Sequence, residues 1–274
     1  MLSNLKAAWA AGSDDNISLI AAGIAHYALL ALVPALGALV LGYGLFADPE
    51  TVAGHIEALS ANLPAAAAEI IGDQLRNVSE GAAGAQGFGL LIALGIALWG
   101  ARNGARALMT GLNIAFHAGE TRGFVRGNLV ALAITLGGIV GLVVIGAIST
   151  ALAVIAGPIG ALVSFLFLLL AATGGAAVLY RFAPNKPAPA WRRILPGALL
   201  FAGGWLAATA AFAFYAANFG SYNATYGSLG AVVVLITWFY VSALLLLLGA
   251  EYAAVKASGK DESAPETAKT RNNP

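Results

Sequence analysis

The sequence predicts an all-α, polytopic membrane protein with six transmembrane helices, two short amphipathic outer helices and both termini cytoplasmic. Three observations carry that prediction. Hydrophobic side chains make up 59% of the 274 residues and charged ones only 10%, whereas soluble domains hold roughly half and a quarter. Six apolar stretches, roughly 20–46, 87–116, 127–155, 159–182, 194–218 and 228–250, each reach the ~20 residues that cross ~30 Å of hydrocarbon. Finally, of the 14 Lys and Arg residues, all but Arg76 fall on one side once the N-terminus is placed inside, as the positive-inside rule requires.

Taken in order, residues 1–19 read as a cytoplasmic N-terminal segment with Lys6, Asp14 and Asp15. The apolar run that follows is about twice the length of a signal-peptide core, so it reads as a retained first span. Within it, Pro34 should kink the helix, and His26 is the lone intramembrane histidine. Such a histidine can relay protons or simply hydrogen-bond to a neighbouring helix.

The outer segment 47–86 carries six acids, Asp48, Glu50, Glu57, Glu69, Asp73 and Glu80, against Arg76. Asp48-Pro49 reads as an N-cap followed by Pro at the first helical position, with Val52, Ile56 and Leu59 on one face. Asn62 and Pro64 start a second helix, in which Ile71, Leu75 and Val78 recur at helical spacing.

The stretch from Gly87 to Gly100 gives about 20 Å of helix, less than the hydrocarbon thickness. Arg102 and Arg106 follow it, one turn apart on one face. An arginine below the headgroups requires a partner or a wet cavity, and its planar fork suits phosphate or carboxylate. Snorkelling to phospholipid headgroups would satisfy both equally. Asn113, Thr135, Ser149, Thr173, Thr209, Asn218 and Thr237 are polar points within spans, expected mostly to bond between helices. Gly100 with Gly104, and Gly137 with Gly141, have the spacing of close helix packing.

Gly157-Pro158 makes a short outer turn, and Pro184, Pro187 and Pro189 stiffen a basic linker ending in Trp191-Arg192-Arg193. Glu251 closes the six-span domain 20–250 on the side of Arg102 and Arg106, where an ion pair is open to it. Residues 251–274 read as a disordered cytoplasmic tail.

Enzyme classes fare poorly. The chain holds no cysteine, so thiolate metal sites are excluded. His26, His55 and His117 fall at different depths and cannot converge on one metal. There is no GxSxG, Walker loop or HExxH, and no cofactor is implied.

The segments AAGIAHYALLALVPAL at 21–36, WGARNGARALMTGLNIAF at 99–116 and YGSLGAVVVLITWFYVSALLLLLGAE at 226–251 resemble those of the YihY/BrkB family. The last is the most specific, with its YGSLG entry, Trp238-Phe239-Tyr240 cluster and closing Gly249-Ala250-Glu251. His26 stands where the family pattern has an aromatic residue. The resemblance implies a multi-pass bacterial inner-membrane protein with both termini inside. It brings no established activity, and the ribonuclease label long attached to the family fits poorly with short inner loops that offer no RNA-binding surface.

The reading that follows is a transporter or flippase-like protein for an anionic or amphipathic substrate, a lipid or envelope precursor. Its binding candidates are Arg102, Arg106, Asn113, His26 and Glu251, its partners membrane lipids, and nucleic acid is not among them. A non-transporting scaffold or envelope assembly factor is the alternative, and an intramembrane lipid enzyme the third reading. Small-xxx-small pairs permit a homo-oligomer.

Overall fold

The computed structural model describes residues 2–46, 83–152, 155, 157–219 and 228–261. These form seven α-helices, and there is no strand among them. We number them α1 (Leu2–Asp14), α2 (Ile17–Phe46), α3 (Ala83–Ala115), α4 (Phe124–Leu152), α5 (Gly157–Phe182), α6 (Trp191–Phe219) and α7 (Ser228–Asp261). The expected outer amphipathic pair lies almost wholly outside the described residues.

Helices α2 to α7 track the six apolar stretches to within a few residues, except that α7 runs on to Asp261. Among the described residues, four segments are long and apolar enough to cross a membrane: Phe124–Ser149, Gly157–Phe182, Trp191–Tyr215 and Val232–Lys256. A fifth candidate is bent by 70° between Ser3–Asp14 and Ile17–Leu32. That bend sits at Asp15-Asn16, whereas the chain stays helical through Pro34. Asn16 makes it, with a left-handed φ of 54°, a conformation Asn tolerates better than most residues. Its amide donates to the Ser13 carbonyl, and its own carbonyl accepts from Leu19 and Ile20 to start α2.

The chain divides into two compact units. The first comprises Met1–Ile24, Ala105–Phe214 and Tyr240–Pro274. Its core is made largely of alanine, with Ala21, Ala105, Ala131, Ala176, Ala198, Ala243 and Ala250 around Met109, Leu112, Phe116, Tyr180, Ile194 and Leu247. In α7 the buried Ala243, Leu247, Ala250 and Ala254 recur at i, i+4, i+7 and i+11, and Ala105, Met109 and Leu112 of α3, with Phe116 in the turn just after it, do the same. Small side chains allow helices to approach closely, which drives packing where lipid offers no hydrophobic effect between them. The closest approach is α6 on α7: a Cβ on Gly197 would strike the Gly249 carbonyl, and one on Gly249 would lie 2.6 Å from the Gly197 carbonyl. The rest of α4 shows the opposite face of the same rule. Leu136, Val140, Leu142 and Val143 are exposed, and Gly137 and Gly141 meet no neighbour, as on a wall that faces lipid.

The second unit comprises Ala25–Gly104 and Tyr215–Phe239. In it, a Cβ on Gly100 would come within 3.1 Å of the Ala31 backbone, and one on Gly104 within 3.6 Å of Tyr27. That glycine pair therefore packs α3 on α2, as its spacing predicts.

Candidate functional site

The basic end of the first unit is built by two loops locked together. The α3 terminus closes in a Schellman motif: His117 takes φ 50°, its amide donates to the Ile114 carbonyl, and the Ala118 amide donates to the Asn113 carbonyl. This turn leaves the buried Asn113 side chain facing both loops. Its Nδ2 donates to Glu120 at 2.7 Å, and its Oδ1 accepts from the Asn185 amide at 2.7 Å. Asn185 returns the link with donations to the Gly119 carbonyl and the Thr121 hydroxyl. Lys186 donates to the Phe116 carbonyl, and Arg122 to that of Ala183, while Arg181 donates to Pro189 and lies over the Trp191 ring at 4.7 Å. Arg122, Arg181 and Lys186 are thus occupied.

Lys6, Arg126 and the Arg106 side chain make no hydrogen bond or ion pair among the described residues, and neither do Arg192 and Lys256. The last two border a groove of about 990 Å³ between α1, α6 and α7, at the upper end of the roughly 300–1,000 Å³ of ligand pockets. Asn4 and Leu5 come from α1, and Tyr252 from α7. Leu195, Pro196, Leu199, Leu200, Gly203 and Gly204 form the α6 wall. Pro196 lacks an N–H, so the Arg192 carbonyl loses its helical donor at the mouth. From Arg192 to Gly204 the wall runs about 18 Å. The groove therefore has cations at one end and hydrocarbon along its length.

Behind it, Glu251 is only 1% exposed. Its side chain packs on Gly12, whose added Cβ would lie 3.5 Å from the Glu251 Cγ, and its Oε1 is buried with no hydrogen-bond partner among the described residues. No basic residue makes an ion pair with it among the described residues, although the sequence left one open.

The other expected binding residues are dispersed. Asn113 clamps loops. Arg106 is exposed. Arg102, in the second unit, donates to the Asn103 side chain at 3.0 Å and lies over the Trp99 ring at 4.9 Å. His26, also in the second unit, is exposed and meets the Tyr27 ring edge-on. Thr135, Thr173 and Thr237 turn their hydroxyls to their own helices at i−4 and not across helices. Bonds between helices run from Tyr180 to the Leu246 carbonyl at 2.6 Å and from Trp205 to Ser242 at 3.0 Å.

Comparison with known families decides the kinship. The family described as Virulence factor BrkB matches residues 8–273. The chain belongs to the BrkB family. Its relatives include "Putative ribonuclease-like protein YfkH" of Bacillus subtilis, 32% identical over 85% of this chain and 88% of that protein. "UPF0761 membrane protein" of Tolumonas auensis is 40% identical over 31% of this chain and 28% of its own length. "UPF0761 membrane protein RSc1559" of Ralstonia nicotianae is 38% identical over 35% and 21%. No solved structure matches. For this BrkB chain, sequence reasoning missed Asn185, Arg192 and Lys256. Arg192 and Lys256 were visible only as members of basic clusters.

Proposed function

We propose that this BrkB-family membrane protein binds and moves an anionic amphipath, a lipid or lipid-linked envelope precursor, at the cytoplasmic face of a bacterial inner membrane. The observation that carries the reading is the groove of the first unit: two uncommitted cations at its mouth and an apolar wall of about 18 Å behind them. A phosphate at Arg192 and Lys256 gains charge-assisted hydrogen bonds. Its acyl chain lies along Leu195, Leu199 and the flat Gly203-Gly204 surface. Arg102 and Arg106 serve as further anion contacts on the same leaflet.

This reading takes the topology as six spans with both termini inside, supported by the division of Lys and Arg and by the match of α2 to α7 to the apolar stretches. It assigns the chain no enzymatic activity, and purified protein is expected to leave RNA intact.

Native mass spectrometry from nanodiscs of mixed anionic and zwitterionic lipid tests the groove. Wild type should retain one or more anionic lipids, and Arg192→Ala/Lys256→Ala should lose at least about tenfold in occupancy, which is the loss of one charge-assisted contact. If Arg102→Ala/Arg106→Ala abolishes retention instead, the site lies at those arginines. Equal retention by all three proteins rejects the lipid site and favours the scaffold reading.

A further inference from the structure

Helix α1 leaves one edge uncovered. Its 13 residues bury Ala8 and Gly12, the latter against the Glu251 side chain of α7. Asn4 and Leu5 line the groove beside Arg192 and Lys256. Trp9, by contrast, is 62% exposed, and no bond or ring contact holds it among the described residues. A single exposed apolar side chain is ordinary, but three further observations give this one a direction.

The first is the axis of the helix. It turns by 70° from the apolar segment Ile17–Leu32. Transmembrane helices tilt by about 20° from the membrane normal on average, so a span there sets α1 within about 40° of the membrane plane. The second is depth. Phe182 closes α5 and Trp191 opens α6, both exposed, with the Arg181 guanidinium over the Trp191 ring, and α1 meets this same end of the first unit through the groove at Arg192. Tryptophan concentrates at the headgroup level, where its ring is half wetted and half in hydrocarbon. The third is the distribution of side chains around α1. Leu5 and Trp9 form one row at i and i+4, and Leu5 borders the apolar α6 wall. Ser3, Ala7 and Asp14, all exposed, lie about 120–160° around the helix from Trp9. Lys6 is exposed between the two sets.

We propose that α1 is an interfacial helix that binds the phospholipid surface. Trp9 sits at the boundary of headgroups and acyl chains, Lys6 reaches the lipid phosphates, and Ser3, Ala7 and Asp14 face water. Ala8 and Gly12, too small to hold lipid away, let the opposite edge pack on α7. The α1 wall of the groove then lies at headgroup depth, so the groove mouth opens among headgroups. That last consequence rests on the lipid reading of the groove; the placement of α1 does not.

The lack of cysteine lets single nitroxide labels on the full chain test this, at Ser13→Cys and Ala7→Cys, in liposomes of phosphatidylethanolamine and phosphatidylglycerol. Trp9 stays intact in both. The label at position 13, about 40° from Trp9, should meet dissolved oxygen more often than a water-soluble nickel chelate, at a depth of about 5–10 Å into the headgroup and acyl boundary. The label at position 7 should show the reverse preference. Both labels in water overturn the proposal, and so do both at the bilayer centre, which would make α1 part of a broken span. Labels shielded from both reagents overturn it in favour of a protein partner or a second copy. Should labelling disturb the fold, the tryptophan emission lost in Trp9→Ser should be emission that phospholipid brominated on its upper acyl carbons quenches; emission that such lipid leaves unquenched overturns the proposal. Arg192→Ala/Lys256→Ala should leave both labels in place, so failure of the groove and failure of the interfacial helix give different results.

Discussion

Asn113 shows how far one side chain can be read from sequence and where the reading stops. A polar residue in an apolar helix is legible as one that needs partners, because an unpaired amide in such a place costs about 1–3 kcal/mol. The identity of those partners was not legible, since Glu120 and Asn185 reach it only after the Schellman turn at His117 folds one loop back and the Pro-rich linker is laid beside it. Asn113→Leu should therefore lower stability by about 1–3 kcal/mol, seen as a lower unfolding midpoint in detergent. Anionic lipid retention should persist at temperatures where the variant is folded. Loss of lipid with an unchanged midpoint would make Asn113 a ligand contact instead. Arg192 and Lys256 illustrate the converse: a basic residue at a helix end is an anchor by default, and only the groove between α1, α6 and α7 sets these two apart from Lys6, Arg106 and Arg126, which also make no side-chain bond among the described residues.

At the scale of the helix, boundaries were legible because apolar runs in this chain are interrupted by clear signals, such as Gly157-Pro158 before α5 and the prolines before α6. Helix α1 was not. Its run of alanines with Gly12 gives a weak apolar stripe, and the residues that bury it, Ala8 and Gly12, are chosen for size and not for hydrophobicity. The glycines separate in the same way. Gly197, Gly249, Gly137 and Gly141 all look alike in sequence, yet the first two lie where α6 and α7 backbones touch and the last two face open space. Gly249→Ala should accordingly cost about 1–3 kcal/mol by overpacking against Tyr180 and Gly197. Gly137→Ala should be neutral or stabilise by up to about 1 kcal/mol, because alanine is the better helix former. Thermal unfolding of the two variants side by side checks the contrast, and equal effects would contradict the close approach of α6 and α7.

For the molecule as a whole, composition alone establishes a helical membrane protein, since 59% hydrophobic residues with 10% charged ones cannot be hidden from water in a chain this size. The charge asymmetry supports the proposed orientation with both termini inside. The natural lack of cysteine makes the topology directly measurable: single cysteines at Ser3, Ala118 and Ala188 should resist a membrane-impermeant maleimide in intact cells and react after lysis, whereas one at Ala65 should react at once. Any exchange of those two groups would reverse the topology, and the groove would then face the other leaflet. The site was less legible than the fold, because it depends on which cations border the groove once α1, α6 and α7 have packed. The central claim, that the groove handles an anionic amphipath, is tested most directly by translocation. Purified protein reconstituted into liposomes with a trace of fluorescent anionic phospholipid should speed exchange of that lipid between leaflets. Arg192→Ala/Lys256→Ala should lose at least about tenfold of the protein-dependent rate. Wild-type proteoliposomes that move no anionic amphipath faster than protein-free ones, at any pH from about 5 to 9, would contradict the account.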